Sequence, residues 1–419
     1  MIEGRLRKFL QKNNVFFEYQ FGFRTGYSTC YALLEITNSI RSYLDKGKNV
    51  LGLYLDLKKA FDTVNHSILK SKLLNYGIRG ACFDLLSSYL TNRVQYMFVN
   101  GTLSDVSNIN TGVPQGSVLG PLLFLIYVND IKNVTPDISI RLFADDTNVF
   151  LHDKSCDRLI DDTKTTIQKL KTWFDVNKLT VHLGKTNFTI FHCNSNRDHK
   201  CYEKFSVDNI DIFRTVTTKY LGVIIDEELS WKQHVNDLCN KLIKYTGIFY
   251  KTRSKLPVSS KIELYYAFVY SRISYCIEVY GTAKKTVLHP LQIMQNRILK
   301  ILTNTPMRFP TDTLYSMWSI LKLNETHLYN TYILLFKYIN DKLPLFFKKI
   351  FNPNEETVQK STRQNKLFTV TRPTSSHGAL LMNNYCTKLW NELSNTIKNE
   401  KTLTKFKLTL KDHLLNKYI

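Results

Sequence analysis

Along residues 51–57, LGLYLDL, side chains alternate as on a strand: Leu51, Leu53, Leu55 and Leu57 share one face, and Gly52, Tyr54 and Asp56 share the other. The leucines suit packing on helices, which leaves Asp56 projecting into a cleft. The same reading along the chain predicts helices around an aromatic, Gly-rich turn (QFGFRTGYST) in residues 1–50, a helix over 65–76 and a strand over 93–100. It then predicts an apolar helix over 118–131, a hairpin over 140–151, a helix over 156–177, and strands over 187–193 and 219–225. From Leu229 onward the pattern is almost entirely helical. There, Leu288, Leu291, Ile298 and Leu302 form one helical stripe, with Gln292, Gln295, Asn296 and Lys300 turned away. Residues 352–366, NPNEETVQKSTRQNK, lack apolar periodicity and read as a linker or exposed loop. The expected fold class is α+β, with a mixed half followed by a basic, aromatic, helical half.

Composition adds a partner. The chain has 419 residues, enough for two or three domains, and its 43% hydrophobic content is that of a folded protein. Its formal net charge of +22 calls for a polyanion, with nucleic acid the leading candidate. Lys and Arg exceed Asp and Glu by 6 in residues 1–250 and by 16 in residues 251–419, so the C-terminal part is expected to face that polyanion. The charged N-terminus is unlike a signal peptide, and no stretch reaches the roughly 18 apolar residues of a membrane span, which predicts an intracellular, soluble chain. The eight cysteines include no CxxC pair and read as free thiols. His192, Cys193, His199 and Cys201 fit no standard zinc spacing and read as a polar loop after a strand.

A second acidic site changes the meaning of the first. In RLFADDTNVFL two apolar strand segments meet at Asp145-Asp146, where a hairpin would more usually carry Asn-Gly or Asp-Gly. Adjacent carboxylates flanked by buried strands and brought beside Asp56 would need a cation. Oxygen-only ligands suit Mg²⁺, which takes one or two carboxylates plus substrate phosphates. The chemistry implied is phosphoryl or nucleotidyl transfer with two metals.

LYLDLKKAFDTVNH, NTGVPQGSVLGPLLFLIYVNDI, RLFADDTNVF, KLTVHLGKTNFTIF and TKYLGVIIDEELSW resemble, in order, the successive palm motifs of non-LTR retrotransposon reverse transcriptases, most like the LINE-type, jockey-like group. The likeness covers roughly residues 15–235 and is weaker through the C-terminal helices. It implies a right-hand polymerase: partial fingers over 1–50, palm with an inserted fingers segment over 51–235, helical thumb over 236–305, and a basic helical extension over 306–419. The implied activity is RNA-directed DNA polymerisation, copying RNA into cDNA from an RNA template, a DNA primer and deoxynucleoside triphosphates. Two Mg²⁺ ions, or Mn²⁺ as a substitute, would serve as cofactors, and the setting would be a cytoplasmic ribonucleoprotein and the nucleus.

Residue by residue, the resemblance makes Asp56, Asp145 and Asp146 the metal-binding catalytic carboxylates and Lys185 the proton donor to leaving pyrophosphate. It places Gln115 and Gly116 of GVPQGS against the incoming nucleotide and makes Phe61 the ring that excludes a 2′-hydroxyl. Arg24 resembles the fingers arginine that grips the triphosphate, with Thr25 where the family usually has Pro. His182 stands where family members commonly show Asn. Tyr220, Leu221 and Gly222 resemble the primer-gripping hairpin. Tyr265, Tyr266, Tyr270, Tyr275 and Tyr280 offer rings for base stacking, although core packing is the commoner use of such residues. Rival readings are a decayed polymerase fold that only binds nucleic acid, which the intact carboxylates, Gln115 and Lys185 oppose, and an intron-maturase-like splicing factor, for which no separate RNA-binding motif is present. A metal-dependent nuclease would leave GVPQGS and KYLGV unexplained. Starting just past the block where the family carries further fingers sequence, the chain reads as an N-terminally truncated copy that polymerises poorly.

Overall fold

Strand β1 (Asn49–Leu55) is buried on both faces, not only on its leucine face. The reason is its neighbour: Gly52 pairs with Phe150 and Tyr54 with Asn148, and the Tyr54 ring meets Phe150 edge-on at 6.2 Å. A strand covered on both sides reads as a nearly continuous apolar run, as this one does. The structure is a computed structural model and describes residues 2–134, 138–192, 202–351 and 372–418.

The chain divides into two compact units. The first comprises residues 1–28, 48–190 and 194–215. Four short strands, β2 (Arg93–Gln95), β3 (Phe98–Val99), β4 (Thr102–Leu103) and β5 (Ser107–Ile109), make two small antiparallel pairs in it, β2 with β5 and β3 with β4. The single strand expected over 93–100 is therefore split in two. The central sheet adds β6 (Ser139–Phe143), β7 (Asp146–Asp153), β8 (Asn187–Phe191), β9 (Lys204–Val207) and β10 (Ile210–Arg214), in the order β6-β7-β1-β8-β10-β9. β7 runs antiparallel to both β1 and β6, and β10 runs parallel to β8.

Helices cover this sheet according to their apolar stripes. α1 (Ile2–Lys12) buries Leu6 and Leu10, and α2 (Thr29–Asp45) belongs to the second unit. α3 (His66–Asn75) starts where the Asn65 side chain accepts the Ile68 N–H. The expected apolar helix is α5 (Gly120–Val128), which has Pro121 in its first turn and is buried from Leu122 to Val128. α4 (Ala81–Leu90) precedes it, and α6 (Cys156–Val176) is capped by Ser155 and buries Leu159, Ile160, Ile167, Leu170 and Phe174.

The second unit comprises residues 29–47, 191–193 and 216–419, and its described residues are helical apart from the last residue of β8 and one hairpin. That hairpin, β11 (Thr217–Tyr220) with β12 (Val223–Asp226), replaces the continuous strand expected over 219–225. Its turn residues Leu221 and Gly222 both have positive φ, 45° and 81°, the backbone a tight two-residue hairpin turn requires. α7 (Lys232–Thr252) packs on helix Lys285–Thr303. On the latter, Leu291, Ile298 and Leu302 are buried as expected, but so is Gln295, at 0% exposure. Its amide donates to Tyr265 Oη at 2.8 Å and to the Leu321 carbonyl at 3.0 Å, so a polar position on the helix becomes an interior clasp.

Cys30, Cys82, Cys156, Cys239, Cys276 and Cys386 are free thiols. No helix among the described residues is long and apolar enough to cross a membrane. The expected loop at 352–366 lies outside the described residues, as do Cys193, His199 and Cys201.

Candidate active site

β1 and β7 set the acidic site by their register. Leu55 pairs with Thr147, so Asp56 leaves β1 just past the last pair, near enough to Asp146 for their charges to interact. On its other edge β7 pairs with β6 through Phe143 and Asp146, which leaves Ala144 and Asp145 as a two-residue turn. Ala144 adopts φ 57°, a conformation costly for a residue with a Cβ. Three carboxylates thus collect at one end of the sheet. Asp146 records the crowding: its pKa rises from the ordinary 3.8 to about 6. The first cause is surrounding protein that shields the carboxyl from water, although the residue as a whole stays exposed; the charges of Asp145 and then Asp56 add to it.

Lys185 reaches this site through backbone pairing. Lys58 N–H donates to the Thr180 carbonyl at 2.9 Å, His182 N–H donates to the Asp56 carbonyl at 2.7 Å, and Leu57 bridges Val181 between them. The short turn Leu183–Lys185 follows directly and sets Lys185 Nζ 3.6 Å from Asp56 Oδ2. His182, where the family commonly has Asn, carries this loop with its main chain: its carbonyl accepts the N–H groups of Lys185 and Thr186. The exposed Lys185–Asp56 pair contributes little to stability and leaves the ammonium available to a ligand.

A second backbone ladder assembles the predicted nucleotide-facing residues. Val113 N–H donates to the Phe61 carbonyl, Gly112 N–H donates to the Val64 carbonyl, and Asn65 bridges Thr111. A Cβ on Gly112 would lie 2.8 Å from the Asp62 carbonyl oxygen, so this glycine admits the chain's own backbone. Gln115 then donates to Asp62 Oδ1 at 2.8 Å in an exposed position, and Gly116 follows with open space around it. Asp62 is a partner that the sequence motif did not single out. The Phe61 ring stacks on Phe124 of α5 at 4.3 Å and meets Phe23 edge-on at 6.1 Å, half-buried.

Arg24 lies in the same unit with its guanidinium turned inward. Nη1 donates to the Phe17 carbonyl at 2.8 Å, and the group lies over the Tyr27 ring at 4.0 Å. Tyr220, Leu221 and Gly222 belong to the second unit, where the Leu221 carbonyl accepts Tyr275 Oη–H at 2.7 Å and a Cβ on Gly222 would touch the Tyr275 ring at 3.4 Å. Tyr265 and Tyr280 are fully buried, which makes them core residues; Tyr275 remains 40% exposed.

Among the described residues, no group of three Asp, Glu, His or Cys side chains is already drawn to metal-holding spacing. The donor set nonetheless fits Mg²⁺ chemically: it is all oxygen, its charges repel, and Mg²⁺ completes its shell with water and substrate phosphates rather than a protein cage.

The sequence model of the family described as reverse transcriptase (RNA-dependent DNA polymerase) matches residues 1–225. The chain is 28% identical over 312 residues to a probable RNA-directed DNA polymerase from transposon X-element of Drosophila melanogaster, covering 72% of this chain and 34% of that protein. It is 28% identical over 301 residues to the RNA-directed DNA polymerase from mobile element jockey of Drosophila funebris, covering 69% and 32%. The chain thus spans about a third of the length of these curated relatives. Among solved structures, the telomerase of Candida albicans aligns with 75% of this chain and 55% of its own at a TM-score of 0.44 and 13% identity. With the matched region holding the carboxylate turn, the Gln115 loop and Lys185 together, the chain belongs to the reverse transcriptase (RNA-dependent DNA polymerase) family.

Proposed function

We propose that this chain carries the polymerising part of a non-LTR retrotransposon's RNA-directed DNA polymerase, extending a DNA primer on an RNA template by nucleotidyl transfer. The observation that carries the reading is the gathering of Asp56, just past the Leu55–Thr147 pair, with Asp146 and the turn residue Asp145, where shielding from water first and then the charges of Asp145 and Asp56 raise the proton affinity of Asp146. Asp56 and Asp145 would hold two Mg²⁺ ions, with Asp146 in support and Mn²⁺ as an alternative. Bound there, the metal supplies charge stabilisation for the triphosphate and a more acidic primer 3′-hydroxyl.

The chain's own groups divide the remaining work. Lys185, beside Asp56, is placed to donate a proton to departing pyrophosphate. Gln115, Gly116 and the open part of the Phe61 ring line the approach of the deoxynucleotide, with Phe61 against its sugar. Arg24 would have to release its carbonyl partners to reach a triphosphate, and until then it braces the loop it belongs to. In this reading residues 1–50 supply fingers, 51–235 the palm with Tyr220, Leu221 and Gly222 as primer grip, 236–305 the thumb, and 306–419 an extension whose cations follow nucleic-acid phosphates. Primer extension with matched RNA and DNA templates, with and without Mg²⁺, tests it: Mg²⁺-dependent synthesis on RNA is expected, and template binding without synthesis would favour the decayed, binding-only reading.

A further inference from the structure

Residues 19–22 lie along the edge of β6, and their contacts converge on the turn that carries the acidic pair. Leu142 N–H donates to the Tyr19 carbonyl at 3.0 Å, Phe21 N–H donates to the Leu142 carbonyl at 2.8 Å, and Gln20 bridges Leu142 in parallel register. Gln20 is 2% exposed. Its Oε1 accepts the Ala144 N–H at 3.0 Å and the Gly22 N–H at 2.8 Å, and its Nε2 faces the Ala144 carbonyl at 3.4 Å. Two N–H donors on one atom fix which end of the amide is oxygen. One side chain therefore holds both backbone polar groups of the residue preceding Asp145.

Gly22 completes the contact from the other side. A Cβ there would stand 2.3 Å from Ala144 N and 3.0 Å from Ala144 Cα, so only glycine lets this segment lie flat on the turn. Phe21, 1% exposed and edge-on to Tyr27 at 5.7 Å, anchors the clamp in the interior. The clamped residue is the strained one: Ala144 at φ 57° has no intrinsic reason to stay there, and its relaxation would swing Asp145 and Asp146.

We propose that Gln20 and Gly22 are positioning residues for the carboxylate turn, holding Ala144 in its left-handed conformation so that Asp145 and Asp146 meet the metal and the triphosphate with fixed geometry. This assigns a second use to the stretch QFGFR beyond Arg24, and it rests on the assignment of Asp145 to metal binding. Supporting groups behind metal ligands commonly carry 10- to 100-fold effects on affinity or turnover.

The test uses the full chain with Gln20→Met, which keeps length and removes every polar contact, Gln20→Glu, which keeps an oxygen for both amides, and Gly22→Ala, which presses on Ala144 sterically. Asp145→Asn runs in parallel. The readouts are Mn²⁺ affinity of the chain without nucleic acid, half-saturating Mg²⁺ and kcat in primer extension, KM for deoxynucleotide, and template binding. Gln20→Met and Gly22→Ala are expected to weaken Mn²⁺ binding and lower kcat by about 10-fold or more, with template binding and KM within about twofold. Gln20→Glu is expected to recover most of the Mn²⁺ affinity. If Gln20→Met misfolds, the Gly22→Ala result decides alone. Parental Mn²⁺ affinity and kcat in folded Gln20→Met or Gly22→Ala, while Asp145→Asn is inactive, would overturn the clamp and leave the carboxylate assignment standing. An active Asp145→Asn would overturn both.

Discussion

Asp56 and Asp146 each lie one residue beyond the Leu55–Thr147 pair, close enough that the charge of one raises the proton affinity of the other. Like charges facing across a strand pair destabilise it, so this arrangement is held in place by the rest of the fold.

The cost has a pH signature. Asp146 binds its proton more tightly folded than unfolded, with a pKa of about 6 against an ordinary 3.8, so stability falls as pH rises between those values and stays low above them. In metal-free buffer the melting temperature should therefore decline from pH 4 to pH 6.5. Asp146→Asn should flatten that part of the profile and melt higher than the parent at pH 7. Added Mg²⁺ should raise the parent more than the variant. Parallel profiles for the two proteins would remove Asp146 from the repulsion.

Phe61 gives a selectivity prediction. Its ring stacks on Phe124 and meets Phe23 edge-on; if it also faces the nucleotide sugar as proposed, Phe61→Val would open space there. Ribonucleotide incorporation relative to deoxyribonucleotide should rise by about 10- to 100-fold, the scale on which a small pocket discriminates a hydroxyl. An unchanged ratio in an active variant would make Phe61 a packing residue alone.

Gln295 gives a stability prediction. Gln295→Leu preserves bulk but strands the Tyr265 hydroxyl in the interior and leaves the Leu321 carbonyl with only the longer 3.4 Å bond from Thr326 Oγ1, which should cost about 1–3 kcal/mol in urea unfolding. A loss under about 0.5 kcal/mol would mean that the two groups find other partners.

Charge on α7 is tested by salt. Lys244, Lys251 and Lys255 are exposed on or just after that helix. If all three meet phosphates, changing them together to Gln should flatten the log–log salt dependence of template binding by about 2, since each contact contributes roughly 0.7 to 0.9. An unchanged slope would move the phosphate track elsewhere.

Long elements are legible in the sequence: β1, α5 and the β6–β7 hairpin as sustained apolar runs, and α6 by its helical spacing. Short strands were not, because β2 to β5 run only two or three residues and carry no measurable period. Gln295 lies four residues after Leu291 and three before Ile298, so helical spacing puts it on the apolar stripe; only its polarity argues for an outward face, and the partners that satisfy it, Tyr265 and Leu321, come from segments 26 to 30 residues away. Within the site, Asp56, Asp145, Asp146 and Lys185 were readable as residue types, but the pairing of 56–58 with 180–182 that joins them is made by backbone groups that no side-chain pattern encodes. Asp62 escaped notice for the same reason, and Arg24 was readable as a cation without any sign that its guanidinium turns onto the Phe17 carbonyl.

If the sheet-end carboxylates hold the metal for nucleotidyl transfer as proposed, Asp56→Asn and Asp145→Asn should separate from the parent in Mg²⁺-dependent primer extension on RNA, measured alongside template affinity. Each substitution keeps size and removes charge, so extension should fall by about 100- to 1,000-fold, the scale of lost transition-state charge stabilisation, while template affinity stays within about twofold. Extension within a few-fold of the parent in either variant would contradict the account.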